Sequence, residues 1–173
     1  MYEYTPKKEN NKAAHLVFLL LIGGLLLLAL TSLFQALPFR WVFQIFGVVM
    51  IGIAIYLYTR YFTRIFCYAV VQREDGTLDF TVTECQRKSR ITVCRLSLSS
   101  IERIEVVKAS ERDRKKALKK ELSANGRKLF AYTVNIAPAS VCYLVATECG
   151  QPLAICFEPD EQLLRVLGAG EES

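Results

Sequence analysis

The chain has 173 residues, 52% of them hydrophobic, and carries 22 Lys+Arg against 17 Asp+Glu for a net charge of +5. That length is short for two full soluble domains. With one histidine, His15, and six cysteines that form no C-x-x-C pair, zinc-type ligand spacing and histidine acid–base chemistry are excluded.

Ala13 to Phe39 holds no formal charge, and neither does Trp41 to Thr59. At ~1.5 Å rise per residue each stretch covers roughly the 30 Å hydrocarbon core of a bilayer. Residues 1–62 therefore read as an N-terminal tail followed by a two-helix transmembrane hairpin, with helices over about 15–37 and 41–60. Lys7, Lys8 and Lys12 precede the first stretch like a signal-peptide n-region. The apolar run is too long for such a peptide, lacks an A-x-A site and is followed directly by a second span. Leu37-Pro38-Phe39-Arg40 makes the turn, because proline cannot continue the first helix. The lysines before the hairpin and Arg60 and Arg64 after it outnumber Arg40, so the positive-inside rule places both termini in the cytoplasm of a multi-pass inner- or plasma-membrane protein. Trp41 and Phe39 then mark the outer interface, and Tyr56, Tyr58, Tyr61 and Phe62 the inner one. No ionisable residue apart from terminal His15 lies within the spans, which argues for an anchor rather than an ion path. Gln35 and Gln44 are placed to bond across the pair, and Gly23, Gly24, Gly47 and Gly52 allow close approach.

From Arg64 the apolar period changes to two, and residues 64–170 read as a cytoplasmic head. Strands are predicted over Ile65–Arg73, Thr77–Glu84, Arg90–Leu98 and Ile101–Lys108, as a meander with a Glu74-Asp75-Gly76 turn. In the second strand Leu78, Phe80 and Val82 point inward and Asp79, Thr81 and Thr83 outward. Ser110–Ala124 reads as a helix capped by Ser110 and stopped by Asn125-Gly126, with a narrow stripe of Ala117, Leu118 and Leu122. Strands resume at Leu129–Ile136, Val141–Thr147 and Pro152–Phe157, and Pro159–Leu167 closes the chain as a helix with Leu163, Leu164, Val166 and Leu167 available to pack. Cys67, Cys85, Cys94, Cys142, Cys149 and Cys156 all lie in this head, where small buried reduced thiols are expected.

The fold class is α+β. Four strands, an insertion, three strands and a C-terminal helix resemble the pleckstrin-homology-like (PH-like) fold, a seven-stranded barrel or sandwich plugged at one end by that helix. Placement behind a membrane hairpin looks like the membrane-anchored bacterial PH-like proteins. Phosphoinositide-binding members carry basic residues around the first hairpin, whereas here that turn is acidic with only Arg73 beside it, so no lipid-binding residue carries over. The basic turn is the next one, Arg87-Lys88 with Arg90.

No Walker A loop, nucleophile elbow or dinucleotide fingerprint is present, and no cofactor or metal is implied. A cysteine nucleophile has no base to name, so the chain reads as non-enzymatic. Ser110 to Lys128 holds eight basic against three acidic residues, the whole of the net charge. Arg112, Arg114, Lys115, Lys116, Lys119 and Lys120 crowd nine positions of it. Beside an anionic leaflet such a cluster gains about 1 kcal/mol per basic residue. Nucleic acid is disfavoured, since no aromatic residues interleave the charges. The leading expectation is a module that presents its head to a protein or edge-strand peptide partner. The alternative is an anionic-lipid sensor using Arg112, Arg114, Lys115, Lys116, Lys119, Lys120, Arg87, Lys88 and Arg90.

Overall fold

The computed structural model describes residues 2–8, 10–34, 39–86, 89–148 and 150–168. The chain divides into two compact units: Glu9–Arg64, and Met1–Lys8 together with Ile65–Ser173.

The first unit is a helical hairpin of α1 (Asn10–Leu33) and α2 (Arg40–Tyr58), the latter continued by a π-helical turn over Thr59–Thr63. Ala13–Leu33 and Arg40–Thr63 are each long and apolar enough to cross a membrane. The helices touch where neither has a side chain: a Cβ added at Gly24 would stand 2.9 Å from the Gly47 carbonyl oxygen. Ala54 and Thr31 are buried beside this contact line, and Thr31 returns its hydroxyl to the Leu27 and Leu28 carbonyls. The large outward side chains, Phe18 and Phe46 among them, are exposed. Phe39 enters α2 in the left-handed region at φ 56°, with the Val42 amide donating to its carbonyl. The expected Leu37-Pro38 turn and Gln35 lie outside the described residues.

In the second unit β1 (Tyr2–Tyr4), β2 (Ile65–Gln72), β3 (Leu78–Gln86) and β4 (Ser89–Ser97) form one antiparallel sheet in the order β1-β2-β3-β4. The other sheet has the order β5-β7-β8-β6, from β5 (Ile101–Lys108), β6 (Lys128–Ala131), β7 (Ser140–Glu148) and β8 (Gln151–Phe157). Here β6 runs parallel to β8 while the other pairs are antiparallel. Inner-face residues Phe66, Tyr68, Phe80 and Leu96 meet Leu144, Ile155 and Phe157 in the core, and Leu163 and Leu167 close one end. The Phe80 ring packs at a tilt against Phe157, with centroids 5.0 Å apart.

The architecture departs from the sequence expectation in four ways. Among the described residues the seven expected head strands, β2 to β8, are joined by an eighth, β1, and lie in two open four-stranded sheets rather than a closed barrel. Ile101–Lys108 does not continue the first meander. A short 3-10 turn at Leu98–Ser100, held by the Ser100 hydroxyl on the Ser97 carbonyl, carries the chain across to the second sheet. The first sheet instead gains its fourth strand at the other end, where β1, from the segment read as a tail, pairs with β2. Finally, the closing helix α4 (Glu161–Val166) starts later than expected: Asp160, not Pro159, begins it by accepting the Leu163 amide at 2.8 Å.

β3 obeys the predicted alternation only in part. Phe80 and Val82 are fully buried, but Leu78 at the strand start is 42% exposed. Asp79 and Thr81 on the opposite face are buried too. Arg73 and Arg95 close over Asp79, each with Nε 2.6 Å from the same carboxylate oxygen. Burial alone would raise the Asp79 pKa, yet the hydrogen bonds from Arg73 and Arg95 hold it below the ordinary value. Thr81 donates its hydroxyl to the Ala69 carbonyl. The Asp75-Gly76 turn forms as read, with Gly76 at φ 84° and Asp75 accepting from the Thr77 amide.

Candidate functional site

The basic segment folds as α3 (Arg112–Ala124), two residues shorter at its start than the sequence suggests. Glu111, not Ser110, stands at its N-cap and makes no side-chain cap. Its end is as read: Gly126 at φ 66° follows Asn125, and the amides of Gly126 and Arg127 return to the Ser123 and Leu122 carbonyls. Leu118 and Leu122 are buried against Val107, Val141, Tyr143, Val145, Ala154 and Cys156, the face of the second sheet turned away from the main core. α3 is therefore a structural cover as well as a charged surface, while Ala117 stays exposed.

Packing sorts the cations. Arg112, Lys116, Lys119 and Lys120 are exposed, Lys115 is half-buried, and none of these five forms an ion pair with a described residue. Arg114 is drawn instead toward Glu105 and Glu111, at 3.7 and 3.6 Å. Arg90 lies on β4 in the other sheet, 3.7 Å from Glu3 of β1. Arg87 and Lys88 lie outside the described residues. The fold thus gathers the α3 cations on one helix and puts Arg90 on a different sheet.

A second surface lies along β5, the terminal strand of its sheet, which pairs with β7 on one side. On its other side opens a groove of about 990 Å³. Every residue from Ile101 to Val106 lines it. Successive strand residues point to opposite faces, so an unbroken run can line one groove only if the groove follows the strand edge. Ile101, Ile104 and Val106 line it from the strand, Leu98 from the turn before it, and Leu164 and Leu167 from α4 and its C-cap. Glu102, Glu105 and Glu111 balance Arg103, Lys108 and Arg114 around it. Arg103 pairs with Glu105 and, at 3.0 Å, with Glu121, while Arg127 holds Glu102 at 2.6 Å. The groove mixes apolar side chains with charges of both signs and is bordered by a strand edge. An edge strand offers alternate outward backbone donors and acceptors, so an extended segment could pair with it.

In the other sheet, the outer side of β2 is covered by β1. Tyr2, Glu3 and Tyr4 pair with Val70, Ala69 and Tyr68. Tyr2 donates its hydroxyl to Asp160, which pushes the phenol up to about 12. Asn135 gives its side-chain amide to the Lys7 carbonyl at 3.1 Å and to the buried Glu158 at 2.7 Å. The groove is not legible in the sequence, because the meander pattern puts β5 beside β4 and not in the second sheet. β1 left only an aromatic–charged–aromatic triplet, too short to read as a strand.

A sequence model of the family described as bacterial PH-like domain (DUF6106) matches residues 1–169. No curated protein and no solved structure matches the chain. The chain belongs to this bacterial PH-like family, and the match runs through β1, both apolar helices and the whole head.

Proposed function

We propose that this protein is a non-enzymatic, membrane-anchored module whose PH-like head captures an extended peptide segment of a partner protein along β5. The open β5 edge beside a groove lined by six consecutive strand residues carries this reading. Main-chain pairing would supply affinity, and the apolar positions from Leu98, Ile104, Val106 and Leu164 would select alternate side chains of the peptide. The polar groups around the groove are carboxylates and cations, most already in ion pairs, and offer no nucleophile with a neighbouring base.

The anchor is the hairpin. Because β1 precedes it and pairs with β2 after it, a membrane-crossing hairpin must leave both flanks on one side. The charge bias at its ends favours the cytoplasmic side. An introduced cysteine replacing Ser173 is expected to resist impermeant maleimide in intact cells, and labelling there would overturn the orientation.

The peptide reading is tested with a random peptide library panned on the full chain in nanodiscs of neutral lipid. Selected peptides are expected to alternate apolar residues, to bind almost independently of salt, and to be lost with Leu164→Glu. Peptides indifferent to Leu164→Glu would refute it. A second reading, contact with anionic lipid, is favoured by the five α3 cations without ion pairs among the described residues. It requires α3 to gain salt-sensitive protection in anionic but not neutral nanodiscs. Such tests need the whole chain, since a fragment starting at residue 64 lacks β1.

A further inference from the structure

We propose that Cys67 and Cys85 form a disulfide-modification site, a dithiol that closes reversibly across β2 and β3 by exchange with a low-molecular-weight disulfide. The β2–β3 register sets Cys67 opposite Thr83 and Ile65 opposite Cys85, which leaves the two cysteines on one diagonal of one sheet face. Their sulfurs are 3.3 Å apart, in contact without a bond. Other described cysteines are separated by the fold. Cys142 faces the main core and Cys156 the cluster under α3, so the second sheet lies between them.

The two sulfurs differ in ways that order the reaction. Cys85 is partly exposed and Cys67 is buried, so Cys85 is the sulfur that meets a small reagent first. Burial, and then the neighbouring Cys67, push the Cys85 thiol upward while Arg90 pulls it down, so attack proceeds through the minor thiolate fraction of Cys85. Thr5 donates its hydroxyl to the Cys67 sulfur at 3.1 Å and so fixes the position of that side chain. In the first step the Cys85 thiolate attacks one sulfur of the small disulfide, whose S–S bond breaks and releases one thiolate. In the second the Cys67 thiolate attacks the Cys85 sulfur and expels the other. Two protons pass from the cysteines to the two leaving thiolates; the cysteine pair is oxidised and the small disulfide reduced.

Closing the bond draws the sulfurs from contact to about 2.05 Å, so the strands must shift locally. The site lies where the segment after β1 is fastened, since Thr5 bonds the very sulfur that changes. Oxidation therefore acts on the sheet edge that β1 seals and not on the β5 groove.

The test treats the full-length reduced protein in detergent with oxidised glutathione, blocks remaining thiols and maps the peptides by mass. The expected product is a Cys67–Cys85 link lighter by the two thiol hydrogens and reopened by dithiothreitol. Independently, the reduced protein should retain one phenylarsine oxide, a probe for paired thiols, and lose it in both Cys67→Ser and Cys85→Ser. A mixed disulfide that persists on Cys85, a bridge to any other cysteine, or no reaction would overturn the proposal. So would arsenical binding that survives either substitution.

Discussion

At the β2 edge three residues from the start of the chain complete the sheet, and Asp160, Arg90 and Cys67 hold the segment by its side chains. At the β5 edge no described strand takes the equivalent place, and a groove runs beside it to α4. Unpaired edges invite other chains, and proteins usually blunt them. This chain covers the β2 edge of one sheet with its own N-terminal strand and leaves the β5 edge of the other sheet beside apolar residues of α4. The difference teaches that strand addition is already part of this fold: β1 does in cis at β2 what a partner segment is proposed to do at β5.

Both edges depend on the core between the sheets, and breaking that core should erase the comparison. Phe80→Ala removes a fully buried ring from between Tyr68 and Phe157, and thermal unfolding should show a loss of ~3–5 kcal/mol. Unsealing one edge alone sharpens the contrast. Tyr2→Ser with Tyr4→Ser strips two half-buried rings from the core margin and should cost about 2–3 kcal/mol. Amide exchange should then accelerate in β2 and stay unchanged in β5; equal acceleration in both would mean the edges are not independent.

A pH experiment probes the first sheet from its outer face. The Asp79 carboxyl is held below its ordinary value of 3.8 by Arg73 and Arg95 against the cost of burial. A depressed native pKa contributes stability that is present above the unfolded value and lost as pH falls through the native one. Asp79→Asn should therefore lower the melting temperature clearly at pH 7, with a gap that shrinks below about pH 4. A gap independent of pH would show that the arginines do not act through the charge. Smallest is Thr81→Ala: it removes one hydrogen bond to the Ala69 carbonyl and should cost about 1 kcal/mol. The sequence alone places Thr81 on a solvated face and would expect almost no cost.

These particulars show what the chain discloses by itself. Long apolar stretches reveal α1 and α2, and the period-two pattern reveals β2 to β5, β7 and β8, because both signals repeat over many residues. The Asp75-Gly76 turn and the Asn125-Gly126 stop are local backbone chemistry and are equally readable. Sheet membership is not, since Leu98–Ser100 looks like any polar link and nothing local says that β5 crosses to the second sheet. Asp79 reads as a solvated carboxylate because alternation puts it on the outer face, and only the paired strands show that Arg73 and Arg95 close over it there. The α3 cations are visible as a charge run, but Leu118 and Leu122 show that the helix also seals a sheet face. The groove needs β5 and α4 together, and their lining residues are separated by more than fifty positions.

The decisive measurement is amide hydrogen exchange on the full chain in neutral nanodiscs, with and without a library-selected peptide. Protection of Ile101–Lys108, with β2 and α3 unchanged, is the expected result. Protection confined to the exposed face of α3 or to β4, with β5 unaffected, would contradict β5 as the docking edge.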